Sequence, residues 1–176
     1  MQSKQSGKGD RRVSRQVTGT DLVKIALPLD SSEWHGSGAE TVWAERLSGE
    51  HFRLDNSPFY FFGLSYRDVV AATEDENGQL RFRSVYEHGG HSTYRLMRRA
   101  GTEESFAVLW HPLETLGCTY EGGPGRLVSV DVPPEADIHV VYALLEAGEK
   151  DGAWDLEEGH CGHHVGDPPE AHLPQR

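Results

Sequence analysis

Long apolar runs are absent from this chain. None of its 176 residues falls in an uninterrupted hydrophobic stretch near the roughly 18 needed to cross a bilayer, so no membrane-spanning helix is expected. Cysteine is scarce: only Cys118 and Cys161, with no Cys-x-x-Cys pair. That excludes a disulfide framework and a thiolate zinc finger. No Gly-x-Ser-x-Gly elbow and no phosphate-binding loop occur. Met1 to Gln16 lacks the apolar core of a secretory leader, which makes the cytoplasm the expected location. There is no internal repeat.

Acid outweighs base, for a net charge of −11. The imbalance is uneven. Lys4, Lys8, Arg11, Arg12 and Arg15 face Asp10 alone in the first 16 residues, a local +4 that leaves −15 for the rest. An acidic body repels phosphate backbones, which disfavours nucleic-acid binding by the fold. Residues 1–20 read as a disordered basic leader. Residues 161–176, rich in His and Pro, read as a disordered tail.

The most informative segment is Arg53 to Val70, where Pro58 precedes four consecutive rings, Phe59, Tyr60, Phe61 and Phe62. A strand cannot bury four adjacent rings on one face. The segment is therefore a corner between strands. Around it, residues 22–27, 41–47, 51–54, 68–73 and 80–85 read as short strands, with Asn77-Gly78 in a hairpin turn. They predict a small barrel or bent sheet over residues 21–90.

The second half changes character. Residues 93–99 read as a strand. Thr102 is the expected N-cap of a helix carrying Phe106, Leu109, Trp110, Leu113 and Leu116, with Pro112 as its flaw. Residues 118–121 and 126–132 are two further strands. Pro133 and Pro134 open a second helix with Ile138, Val141, Tyr142 and Leu145 on one stripe, ended by Gly148; residues 153–158 form the last strand. The predicted class is α+β, with a ferredoxin-like βαββαβ arrangement over residues 91–160.

Leu54-Asp55-Asn56-x-Pro58-Phe59-Tyr60 and Gly63-Leu64-x-Tyr66-x-Asp68-Val69-Val70 carry a resemblance. So do Asn77-Gly78, Gly90-His91-Ser92-Thr93-x-Arg95, Leu116-Gly117-Cys118-x-x-Glu121 and Val130-Asp131-Val132-Pro133. Together they resemble a bacterial family of small uncharacterised proteins, the domain of unknown function 4265. The likeness spans about residues 22–158. It implies a small soluble bacterial protein and brings no catalytic residues with it. Ser57 departs from the pattern, where an apolar residue is expected.

Chemistry-bearing residues cluster in two places. Glu87-His88-Gly89-Gly90-His91-Ser92 joins the two halves. His88, His91 and Ser92, with Asp55, are the candidates for an acid/base or nucleophilic site; the competing role is a hinge. His160, Cys161, His163 and His164 are metal-ligand types, but four donors within five residues cannot close a tetrahedral site unaided. Phe59, Tyr60, Phe61, Tyr66, Asp68 and Arg95 are the residues expected at a ligand or partner surface. Cys118 is expected to be structural. No cofactor is expected. A noncatalytic binding or regulatory module, for a protein or small ligand, with neutralisation of a basic partner as one concrete version, is the leading expectation. A small enzyme using His91 stands as its alternative.

Overall fold

The computed structural model describes residues 21–164. The basic leader over 1–20 and the tail beyond residue 164 lie outside the described residues.

Among the described residues nine strands and two helices follow in order: β1 (Leu22–Pro28), β2 (Ala39–Arg46), β3 (His51–Leu54), β4 (Val69–Glu74), β5 (Leu80–Glu87), β6 (Ser92–Arg98), α1 (Glu103–Thr115), β7 (Thr119–Gly122), β8 (Leu127–Val132), α2 (Ile138–Lys150) and β9 (Trp154–His160). The first five close a barrel. Its neighbours run antiparallel except β1 with β5, which pair in parallel through Ile25–Leu80 and Ala26–Arg81. Two register shifts in the β4–β5 pair supply the local bending that closure needs. Alternation sends Val42, Ala44, Phe52, Leu54, Val70 and Ala72 inward.

The remaining strands form a fully antiparallel sheet in the order β7-β8-β6-β9. Both helices pack on one face of it. Phe106, Trp110 and Leu113 of α1, and Ile138, Val141 and Leu145 of α2, share a core with Tyr94, Leu96, Val128, Val130 and Trp154. The whole is mixed and sheet-rich. No helix among the described residues is long and apolar enough to cross a membrane.

The sheet's other face meets the aromatic corner. Ser129 Oγ donates to the Pro58 carbonyl (3.0 Å), Thr93 Oγ1 to Ser65 Oγ (2.8 Å), and Arg95 to the Phe61 carbonyl (2.6 Å). This explains why every residue of β8 is buried. One face of β8 touches the helices and the other the corner.

Local details depart from expectation. Thr102 does precede α1 but makes no side-chain cap; its hydroxyl donates instead to the carbonyls of Arg99 and Ala153. Helix α2 starts after Asp137, whose carboxylate accepts from His139 and Val140 N–H, rather than at the two prolines. Gly148 lies inside α2 instead of ending it. In the β4–β5 turn only Gly78 takes positive φ; Asp75 holds the loop by accepting from Asn77 and Gln79 N–H. Strand β9 continues to His160, because its pairing with β6 extends as far as Thr93.

Candidate functional site

The corner is fastened from below by Glu40. This carboxylate stands in the inward phase of β2 with Val42 and Ala44, and it accepts from the backbone N–H of Phe59, Tyr60 and Phe61. The three amides would otherwise have no strand partner. Asn56 adds a second tie, accepting from Trp43 N–H at 2.7 Å. Glu40 escapes the sequence reading because the strand expected from residue 41 starts two residues earlier, at Ala39. Its signal is an acid in the apolar phase of an alternating strand.

The four rings then go separate ways. Phe59 rests on Gly123, where a side-chain carbon would lie 2.7 Å from the ring. Tyr60 packs against Trp34 and His35, and Phe61 against Phe82. Phe62 is the uncovered ring, 51% exposed, with the Arg95 guanidinium 4.2 Å from its centre. Arg95 itself is buried and bonds Glu157 as well as the Phe61 carbonyl. Its position makes it a fastener of the corner to the sheet.

Between the corner and the sheet lies a shallow cleft that opens to solvent. Ser57 and Tyr66 line it from the corner; Thr119, Tyr120, Glu121, Ser129 and Asp131 line it from β7 and β8. The Tyr120 ring packs edge-on against Phe106 and Trp110. Ser57 is buried, and its hydroxyl has no hydrogen-bond partner among the described residues. At the rim, His91 Nδ1 lies 2.7 Å from Asp131 Oδ1, and the Tyr66 ring meets the His91 ring edge-on.

A second group sits where the barrel's β4 and β5 approach β9. Asp68 is fully buried. Its carboxylate accepts from Ser65 N–H (2.8 Å) and Gly89 N–H (2.7 Å), and His88 Nδ1 is 3.1 Å away. Glycine is required at 89, since a side-chain carbon there would stand 2.7 Å from the Arg67 carbonyl oxygen. Arg67 is the one non-glycine residue with positive φ among those described. His88 stacks on His160 at 4.5 Å. Burial, then the neighbouring His88, lowers the His160 pKa below its usual value.

The remaining candidates separate. Ser92 is buried and bonds His163 Nδ1 at 2.7 Å, while His163 Nε2 faces the Pro133 carbonyl at 3.1 Å. A carbonyl only accepts, so Nε2 carries a proton, and in the neutral ring Nδ1 accepts from Ser92. This pair clasps residues 161–164 onto the fold. His164 is exposed, and Cys161 packs against the helical core. Asp55 stands at the end of β3, its N–H bonded to the Trp43 carbonyl; no hydrogen bond among the described residues links it to His88, His91 or Ser92.

The family model of a domain of unknown function (DUF4265) matches residues 40–156. The chain belongs to that family. Among solved structures, this DUF4265 chain is similar to a hypothetical protein from Neisseria gonorrhoeae, with a TM-score of 0.67 and 14% identity, over 82% of this chain and 99% of that one. At such identity the likeness is one of fold. No curated protein matches.

The two thiols of this DUF4265 chain differ in their surroundings. Both are free. Burial, reinforced by Asp131, pushes the Cys118 thiol up to about 12. A thiol held protonated is a poor nucleophile. In the native protein at pH 8, Ellman's reagent is expected to label Cys161 and spare Cys118, with both reacting in denaturant. Two native labels would show that Cys118 is accessible. The sign for stability follows: the unfolded thiol ionises near pH 9 and the folded one does not, so stability is lost as pH rises above about 9.

Proposed function

We propose that the protein is a noncatalytic binding module, and that the cleft between corner and sheet takes a cationic side chain of a basic partner. The observation that carries this is the cleft's lining. Glu121 and Asp131 bring carboxylates, and Ser57 adds a buried hydroxyl without a hydrogen-bond partner among the described residues. A carboxylate accepts several hydrogen bonds at once, so this lining can take an ammonium or guanidinium group, which is all donors, alongside the partners its carboxylates already have. Tyr66 adds an aromatic wall. The cleft is shallow and open, with room for little more than a water molecule, so it suits the tip of one side chain better than a whole metabolite. The chain's net −11 would draw a basic surface towards it.

The fold supports this reading in its finer form. Strand order β9-β6-β8-β7, with α1 after β6 and α2 after β8, fits a ferredoxin-like half. Two separate cores favour a boundary near Gly89–Gly90 between a barrel subdomain and that half. The sheet face that nucleic-acid binders of this type use is here covered by the corner.

Calorimetric titration with an arginine-rich peptide tests the proposal. Saturable binding is expected, weakening steeply with salt and falling at least tenfold in Glu121→Lys, whose residue is exposed. Affinity indifferent to both salt and Glu121→Lys would refute it.

One observation favours a second reading. An imidazole bonded to a carboxylate at 2.7 Å beside a cleft is the base half of a nucleophilic site, and Ser57 lines the same cleft. No hydrogen bond among the described residues joins Ser57 to His91. If this is an enzyme, ester hydrolysis should be detectable and should drop in His91→Ala. Equal background rates in both proteins would dispose of it.

A further inference from the structure

We propose that Asp68, His88 and His160 form a binding site for a borderline divalent transition metal, Zn²⁺ being the best match, that staples the barrel to the sheet. One donor atom from each residue lies within 4.8 Å of the other two. Two imidazoles and a carboxylate are a donor set that Zn²⁺ accepts, leaving a fourth position for water or another ligand.

Three features of the geometry support this. First, His160 Nε2 is buried and has no hydrogen-bond partner among the described residues. A buried unpaired nitrogen costs free energy unless something takes its lone pair or its proton. Second, Asp68 is held rigidly, with Ser65 and Gly89 N–H groups fixing its two oxygens and leaving lone pairs over. That is how a ligating carboxylate is oriented from behind. Third, the His88 side chain is 46% exposed, which gives an ion a way in.

The spacing demands some closure. Zn–N distances of about 2.1 Å put tetrahedral donor atoms about 3.4 Å apart. Closing from 4.8 Å, a movement of at most about 1.4 Å brings the set to that spacing. His88, exposed and following β5, can supply it by exchanging its Asp68 hydrogen bond for the metal. Asp68 precedes β4, and His160 ends β9. A bound ion would therefore cross-link the two halves and stabilise the folded chain by mass action. The set differs from the run His160, Cys161, His163 and His164, because His160 stacks on His88, Cys161 packs against the helical core and His163 Nδ1 is already hydrogen-bonded to Ser92. It also shares no residue with the acidic cleft.

The full-length protein titrated with Zn²⁺ alone, by calorimetry and by thermal melting, tests the site. One saturable equivalent is expected, with a raised melting temperature. His88→Ala, at an exposed position, should fold normally and lose at least tenfold in affinity. A His163→Ala/His164→Ala variant should keep it. Substitution by Co²⁺ should give visible bands without a thiolate-to-cobalt charge-transfer band. The proposal is overturned by no saturable binding, by binding that survives His88→Ala, or by a thiolate band that assigns the ion to Cys161.

Discussion

Replacing Glu40 with alanine is expected to lower the melting temperature by about 6–12 °C. The carboxylate accepts from three consecutive backbone amides of the corner. Each amide left without a partner costs about 1 kcal/mol when water can partly reach it, for a total of about 3 kcal/mol. At roughly 2–4 °C per kcal/mol for a chain of this size, that gives the stated range. Phe59, Tyr60 and Phe61 are half-buried, which sets the estimate at the low end of the desolvation scale. Glu40→Gln should fall between. Its carbonyl oxygen can replace one carboxylate oxygen, while its amide nitrogen presents donors to a donor. Because Arg95 bonds the Phe61 carbonyl, loss of Glu40 should also loosen the corner from the sheet. Faster amide exchange at residues 59–61 would report this directly. An unchanged melting temperature in Glu40→Ala would mean that water satisfies the corner as well as the carboxylate does.

Glu40 marks where the sequence stops being legible. Periodicity locates each of the described strands and helices, most of them to within two residues and the start of α2 to within about five, because apolar alternation and helical spacing are local signals. The corner itself is legible, since Pro58 and four adjacent rings fit neither period. What the rings rest on is not. Phe59 meets Gly123 across 64 positions of sequence, and nothing local at either residue announces the other. Termini of elements are also non-local here. Strand β9 runs on to His160 only because β6 offers it a partner up to Thr93. That extension turns a histidine expected just past the last strand into a neighbour of His88 and Asp68. The Glu87-to-Ser92 joint shows the same limit. Its two histidines and its serine, adjacent in sequence, end in three places: His88 with Asp68, His91 with Asp131, and Ser92 with His163. Residue types identify the chemistry available, and the fold decides which groups meet.

The second large effect is a sign reversal at Gly148. This glycine lies in the last turns of α2, where alanine would ordinarily be favoured by about 1 kcal/mol. Alanine is nevertheless expected to destabilise the protein, by about 2 kcal/mol, through overpacking. Its side-chain carbon would stand only 1.9 Å from Trp154 Cζ2, and Trp154 is fully buried. The indole has little room to retreat, because its Nε1 donates to the Leu145 carbonyl one turn earlier in α2 at 2.9 Å. Removing the indole by Trp154→Ala should cost about 3–5 kcal/mol. In that background Gly148→Ala should stabilise by about 1 kcal/mol, since only helix propensity remains. The two sites are therefore expected to couple by about 3 kcal/mol. Urea unfolding followed by far-ultraviolet circular dichroism measures all four proteins without relying on the tryptophan that is removed. Trp154→Phe substitutes for Trp154→Ala should the latter fail to fold. Equal effects of Gly148→Ala in both backgrounds would show that the indole does not impose the glycine. Coupling of the expected sign would explain why a residue that reads as a helix stop stands inside a helix: α2 gives up propensity at 148 so that the first residue of β9 can enter the core.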